Sequence, residues 1–304
     1  MSMCIVIGKY FEGTGWVAFK NRDRNYIPEI SFKKKEAQGV EILYFWDDIT
    51  QYCEGFNSTG VGVLSASLMV LDDEKEIETR SKTPSKDGKK IKKALRLPNV
   101  KSVAMSLIDS KLTGNTLIFD QENMYLLEGA WRPGEYATQG YEYKIKKIEK
   151  NKTVVRTNHG VWLDWAGYQR TQESDSETLS RISSESRRLI AEIVTQVSQT
   201  PEDILDGLCK DFTRDGQMNA LRTSTEKKKM RTTSQIMIVP KEKTMYVRPV
   251  QSNIRFNFWD LNNPKQQTWI EILSNRVLYK NLKDSDPDND PPIDSKLDHL
   301  SDKG

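Results

Sequence analysis

Histidine is almost missing from this chain. There are two in 304 residues, with three cysteines and no Cys-x-x-Cys pair. That excludes a His-rich metal site. The cysteines (Cys4, Cys53, Cys209) are scattered and odd in number. They give no disulfide framework and suit a reducing compartment. No apolar run approaches the roughly 18 residues that a membrane helix needs. The first residues lack the basic start and long apolar core of a signal peptide. An excess of one charge is lacking too: 46 basic residues face 43 acidic ones, for a net +3. That balance gives no argument for nucleic acid as the main partner. The expectation is a soluble, cytoplasmic protein with no metal, no membrane partner and no nucleic-acid partner. Self-association into a homo-oligomer stays open.

What is present suits a folded chain. Hydrophobic residues are 37%, enough for a core, and 29% of residues are charged. The length fits one large domain or two.

The organising stretch is the first one. Apolar residues dominate Cys4 to Ile7, a connection with Gly13 and Gly15 follows, and a second apolar run ends in Lys20-Asn21-Arg22-Asp23. The pattern predicts a hairpin with strands of about five residues. Antiparallel pairing then sets the Cys4 thiol beside the charged end of its neighbour. Cleavage before Cys4 would put an α-amine next to the thiol. With a pKa of about 7.7–8, that amine can act as a base near neutrality. Nucleophile and base would then belong to one residue. Asp23 would orient the amine, and Lys20 or Arg22 would favour the thiolate. The same pattern also fits an inert cysteine packed in a buried strand.

Cys4 followed by Lys20-Asn-Arg-Asp23 resembles the start of the choloylglycine hydrolase and acyl-CoA:isopenicillin-N acyltransferase group (peptidase C45-like) of N-terminal-nucleophile hydrolases. Three later stretches resemble the group in order: Gly60-Val-Gly-Val-Leu-Ser-Ala-Ser67, Arg156-Thr-Asn-His-Gly160, and Arg231-Thr-Thr-Ser-Gln-Ile-Met-Ile-Val-Pro240 with Thr244-Met-Tyr-Val. The resemblance implies an α+β fold, a four-layer αββα sandwich of mostly antiparallel sheets. It implies that residues 1–3 are a short pre-sequence removed by self-cleavage and that residues 4–280 form the domain. It makes Asn158 the side-chain donor of the oxyanion hole and likens Arg187 to an arginine near the nucleophile. Lys20, Arg22 and Ser67 become candidates for substrate contact. Ser67 departs from the group, where bile-acid-hydrolase relatives carry an asparagine. No cofactor is implied.

Elsewhere the chain punctuates clearly. Asn99 is a helix N-cap before Val100, Val103, Ala104, Leu107 and Ile108, and Gly114 is expected to close that helix. Thr200-Pro-Glu-Asp opens a second helix, expected to run to about Asp211. A third helix is expected from Ser183, after a polar loop at Thr171–Thr178. Asp72–Lys93 reads as an exposed loop or as a basic lip for an anionic substrate. The aromatics Tyr44, Phe45, Trp46 and Tyr52 fit either a core or a pocket wall. His159 next to Asn158 reads as a local hydrogen-bonding group rather than a base. Residues 281–304, Asp/Pro-rich, read as a disordered acidic tail.

The function expected is amide hydrolysis at an N-terminal Cys4 through an acyl-enzyme, with a small-molecule amide as partner. An amine acceptor would make it an N-acyltransferase. A catalytically inactive fold used for binding is the different-class alternative. In that case the basic runs Lys86–Lys93 and Lys227–Arg231 would hold an acidic partner or nucleic acid.

Overall fold

Strand β1 (Ser2–Phe11) has apolar residues on both faces, so both faces must be covered. In the computed structural model, which describes residues 2–26, 28–37, 39–68, 86–132, 140–167, 175–223, 230–250 and 255–258, this is what happens. Cys4 and Val6 enter one buried cluster, and Ile5 and Ile7 enter another.

β1 pairs antiparallel with β2 (Gly15–Arg24), with Cys4 opposite Arg22. Each strand has ten residues, twice the expected length, because Gly8–Phe11 and Arg24 continue the ladder. Gly13 and Gly15 carry the turn at φ of 79° and 91°, which residues with a Cβ rarely adopt. With β10 (Val154–Arg156), β11 (Arg231–Val239) and β12 (Thr244–Pro249) they make one sheet, in the order β10-β1-β2-β11-β12.

The second sheet holds β3 (Glu29–Ala37), β4 (Val40–Asp47), β5 (Tyr52–Asn57), β6 (Gly62–Ala66), β7 (Gly114–Phe119), β8 (Met124–Trp131), β9 (Tyr141–Lys147) and β13 (Arg255–Phe258). Its order is β13-β3-β4-β5-β6-β7-β8-β9. β13 pairs parallel to β3; every other described pairing is antiparallel.

Three buried clusters fix the layers. Trp16, Ala18, Phe45, Leu64, Phe119, Leu126 and Ile236 lie between the two sheets. The outer face of the second sheet is covered by α1 (Asp87–Ala94) and α2 (Val100–Asp109), through Ile91, Val103 and Leu107 against Trp46, Val63 and Leu127. The outer face of the first sheet is covered by α3 (Asp175–Val197) and α4 (Pro201–Gly207), through Ile190, Val194 and Ile204 against Ile5, Phe19 and Met237. Burying each such side chain is worth about 1.5–3 kcal/mol. The architecture is the expected four-layer αββα sandwich. Among the described residues, no helix is long and apolar enough to cross a membrane.

Several local expectations change. Asp87–Ala94 is helical rather than part of an exposed loop, because Gly88, Ile91 and Ala94 recur at helical spacing and pack inward. Residues 72–85 of that segment lie outside the described residues. Helix α2 ends at Asp109, and Gly114 instead opens β7. Helix α3 begins at Asp175, ahead of the expected Ser183, so residues 175–178 are helical rather than loop, and residues 168–174 lie outside the described residues. Helix α4 stops at Gly207, ahead of Asp211. Tyr44, Phe45, Trp46 and Tyr52 are all buried and belong to the core. The acidic tail at 281–304 and the run 224–229 lie outside the described residues.

Candidate active site

Side-chain alternation along β2 sorts the site's charges into two groups. Trp16, Ala18, Lys20, Arg22 and Arg24 share the face turned to the second sheet; Phe19, Asn21 and Asp23 share the face turned to the helices. Cys4, opposite Arg22, joins the first group.

Carboxylates from the second sheet meet those cations. Lys20 Nζ bonds Glu54 and donates to the Ser65 carbonyl at 2.6 Å, above the Tyr52 ring. Arg22 Nη2 donates to Asp47 Oδ2 at 2.7 Å, with its guanidinium 4.9 Å from the Phe45 ring centre. Arg24 Nε reaches the same Asp47 oxygen at 3.4 Å, and its Nη1 lies 3.6 Å from Cys4 Sγ. All these groups are buried. Unpaired charges there would be prohibitive, so the cations and carboxylates depend on one another.

The nitrogen of Cys4 is held separately. It donates to Asn158 Oδ1 at 2.6 Å, while Asn158 Nδ2 donates to the Ser67 carbonyl at 2.6 Å. The β1–β10 ladder explains this meeting. Val6 faces Arg156, and continuing the antiparallel register by two residues brings Cys4 to Asn158. Ser67 takes part through its backbone. His159 Nδ1 sits 3.0 Å from both Thr157 Oγ1 and Ser184 Oγ, a local hydrogen-bonding role.

On the opposite face, Asp23 accepts from Thr232 Oγ1 at 2.8 Å and from Arg187 Nη2, with Arg222 Nε at 4.0 Å. Arg187 thus approaches the site through Asp23. Cys4, Lys20, Asn158 and Ser67 are brought together. Arg22 is engaged by Asp47, and Asp23 with Arg187 forms a second centre behind the strand.

The electrostatics separate the three thiols. Burial opposes ionisation of Cys4, and Asp23 and Glu54 add to that, but the charges of Lys20 and Arg24 outweigh it and lower its pKa. Burial pushes Cys53 well above the ordinary range, and it pushes Cys209 up as well. Cys4 is therefore the thiol favoured as thiolate. It is also only 1% exposed, with β1 continuing past it to Ser2 and Met3.

Sequence reasoning missed Arg24, Glu54 and Asp47. Arg24 lies one residue beyond the quoted Lys-Asn-Arg-Asp run, and period two from Lys20 would have placed it on the thiol's face. Glu54 and Asp47 had no local signal, because their partners are on the other sheet. A cleft of about 620 Å³ between α1 and α2, lined by Lys90, Lys93, Lys101 and Met105, lies on the outer helix layer and does not include Cys4.

No known protein-family pattern matches the chain, and no curated protein matches it. Solved structures do. One is penicillin V acylase from Agrobacterium tumefaciens, 12% identical over 81% of this chain and 83% of that one, with a TM-score of 0.48. Two are variants of conjugated bile acid hydrolase from Clostridium perfringens. The first is 12% identical over 82% of this chain and 90% of that one, at a TM-score of 0.48. The second is 13% identical over 83% and 90%, at a TM-score of 0.46.

Proposed function

We propose that this protein is a self-processing cysteine amidase. The observation that carries the reading is the pair of contacts on one residue: Cys4 nitrogen on Asn158 Oδ1 at 2.6 Å and Cys4 Sγ at 3.6 Å from Arg24. A structural cysteine needs neither. A residue that serves as nucleophile and base needs both atoms placed.

The first reaction is on the chain itself. The Cys4 sulfur attacks the carbonyl carbon of Met3 and forms a C–S bond. The Met3–Cys4 C–N bond breaks, and its electron pair stays on the Cys4 nitrogen, which takes up a proton. Water then adds to the thioester carbonyl and releases the acyl part as a carboxylic acid. Cys4 is left with a free amine and thiol.

In turnover a linear amide takes the place of the Met3 carbonyl. The freed amine accepts the thiol proton and delivers it to the leaving amine. Asn158 holds the Cys4 nitrogen through Oδ1, and its amide group helps to bind the oxyanion. Arg24 and Lys20 favour the sulfur anion. Asp23, anchored by Arg187, supports the strand that carries these cations. With water as acceptor the outcome is hydrolysis; with an amine it is N-acyl transfer.

The test is amine release from simple aminomethylcoumarin amides by protein that begins at Cys4. Release that vanishes in Cys4→Ala supports the reading. Equal release by Cys4→Ala would sink it.

A further inference from the structure

The residues before Cys4 do more than block its amine. β1 runs unbroken through them: Ser2 pairs with Arg24 and Met3 with Asp23 in the ladder that holds Cys4 against Arg22. The far side of β2 is already taken at these positions, because Arg231 pairs with Arg24 and Thr232 with Asp23 on β11. On the other side of β1, the β10 ladder covers only Val6 to Gly8. Loss of residues 1–3 therefore opens a slot one strand wide beside Asp23 and Arg24, ending at the Cys4 thiol.

We infer that this slot receives the acyl half of the substrate, and that the acyl half is an extended peptide. The inference rests on the amidase reading above. The reasoning is chemical. In self-cleavage the Met3 carbonyl carbon becomes the thioester carbon on Sγ. In turnover the substrate's acyl carbon forms the same thioester. The chain behind that carbon enters from the same side of Cys4, along β2. The edge it meets is made of backbone N–H and C=O groups. An incoming peptide satisfies them as an added strand, whereas a plain hydrocarbon acyl chain leaves them unpaired. The chain's own Met-Ser-Met segment is thus the first acyl group the site processes, and it sets the class: peptidyl amides cleaved on the carboxyl side of the peptide. Hydrolysis converts peptidyl-CO–NH–R and water to a free peptide acid and the amine.

The experiment compares two aminomethylcoumarin amides on wild-type protein that begins at Cys4. One carries acetyl-Ser-Met as its acyl group. The other carries a saturated acyl chain of equal length. The peptide amide is expected to show a kcat/KM about tenfold higher, the worth of one or two backbone hydrogen bonds. The free Met-Ser-Met peptide is expected to compete with both. Equal or faster cleavage of the saturated amide overturns the slot while leaving the amidase reading intact. Cleavage of neither overturns both.

Discussion

Arg187 on α3 donates to the carboxylate of Asp23 on β2, from a position 164 residues away, and both side chains are fully buried. This pair ties the outer helix layer to the strand that presents Lys20, Arg22 and Arg24. Removing one partner leaves a buried charge. Arg187→Met and Asp23→Asn are each expected to lose about 3–5 kcal/mol of stability. The double variant is expected to lose less than the sum, because neither charge is then stranded. Denaturant unfolding of all four proteins measures this, and additive losses would contradict it.

The thiol titration is the second expectation. Cys4 has its pKa lowered because the Lys20 and Arg24 charges outweigh burial. The thiolate absorbance that is lost in Cys4→Ala is expected to titrate below the roughly 8.5 of an ordinary cysteine. Arg24→Gln is expected to move that titration upward. For stability the sign follows from the depressed folded value. The thiolate contributes fully above the unfolded pKa, and the contribution fades as pH falls through the folded one. A titration unmoved by Arg24→Gln would remove Arg24 from the electrostatics of the Cys4 thiol.

Asp47 makes an acid-side prediction. Burial works against its ionisation, but Arg22 and Arg24 hold its pKa well below the carboxylate range. Its contribution is full above about 3.9, the unfolded value, and is lost only as pH drops further. Asp47→Asn is expected to cost about 3–5 kcal/mol near neutrality, by removing the carboxylate that two buried guanidiniums share. It is also expected to flatten the acid limb of a stability-against-pH curve. An unchanged acid limb would place the acid sensitivity in other carboxylates.

Asn158 Oδ1 accepts from the Cys4 nitrogen, which belongs to the Met3–Cys4 bond whose self-cleavage is proposed above. Asn158→Ala is expected to slow appearance of the Cys4 N-terminus by about 10²–10³-fold, the usual worth of one oxyanion donor. Mass spectrometry of a time course after synthesis reads the rate. Cleavage at the wild-type rate would leave Asn158 with a purely structural part.

Much of the fold was legible because its signals are local. Asn99 caps α2 through Ser102, and Thr200 with Asp203 forms a capping box on α4. The buried residues of α2 are the five that helical spacing named. That Cys4 lies beside the charged end of β2 followed from hairpin logic alone; its register opposite Arg22 did not. The sandwich's layer order did not. It came from resemblance, since periodicity cannot say which sheet a strand joins. The partners of the cations were hidden for a related reason. Glu54 and Asp47 sit on the facing sheet, and no spacing rule links them to β2. β13 was missed because four residues, Arg255–Phe258, carry too little pattern to mark a strand.

The most direct measurement is the intact mass and N-terminal sequence of the purified wild-type protein and Cys4→Ala. The account predicts a wild-type chain that begins at Cys4 and a mutant that keeps Met3 joined to residue 4. A wild-type chain that retains Met3 would leave the Cys4 nitrogen an amide with no basicity, and the amidase account would be wrong.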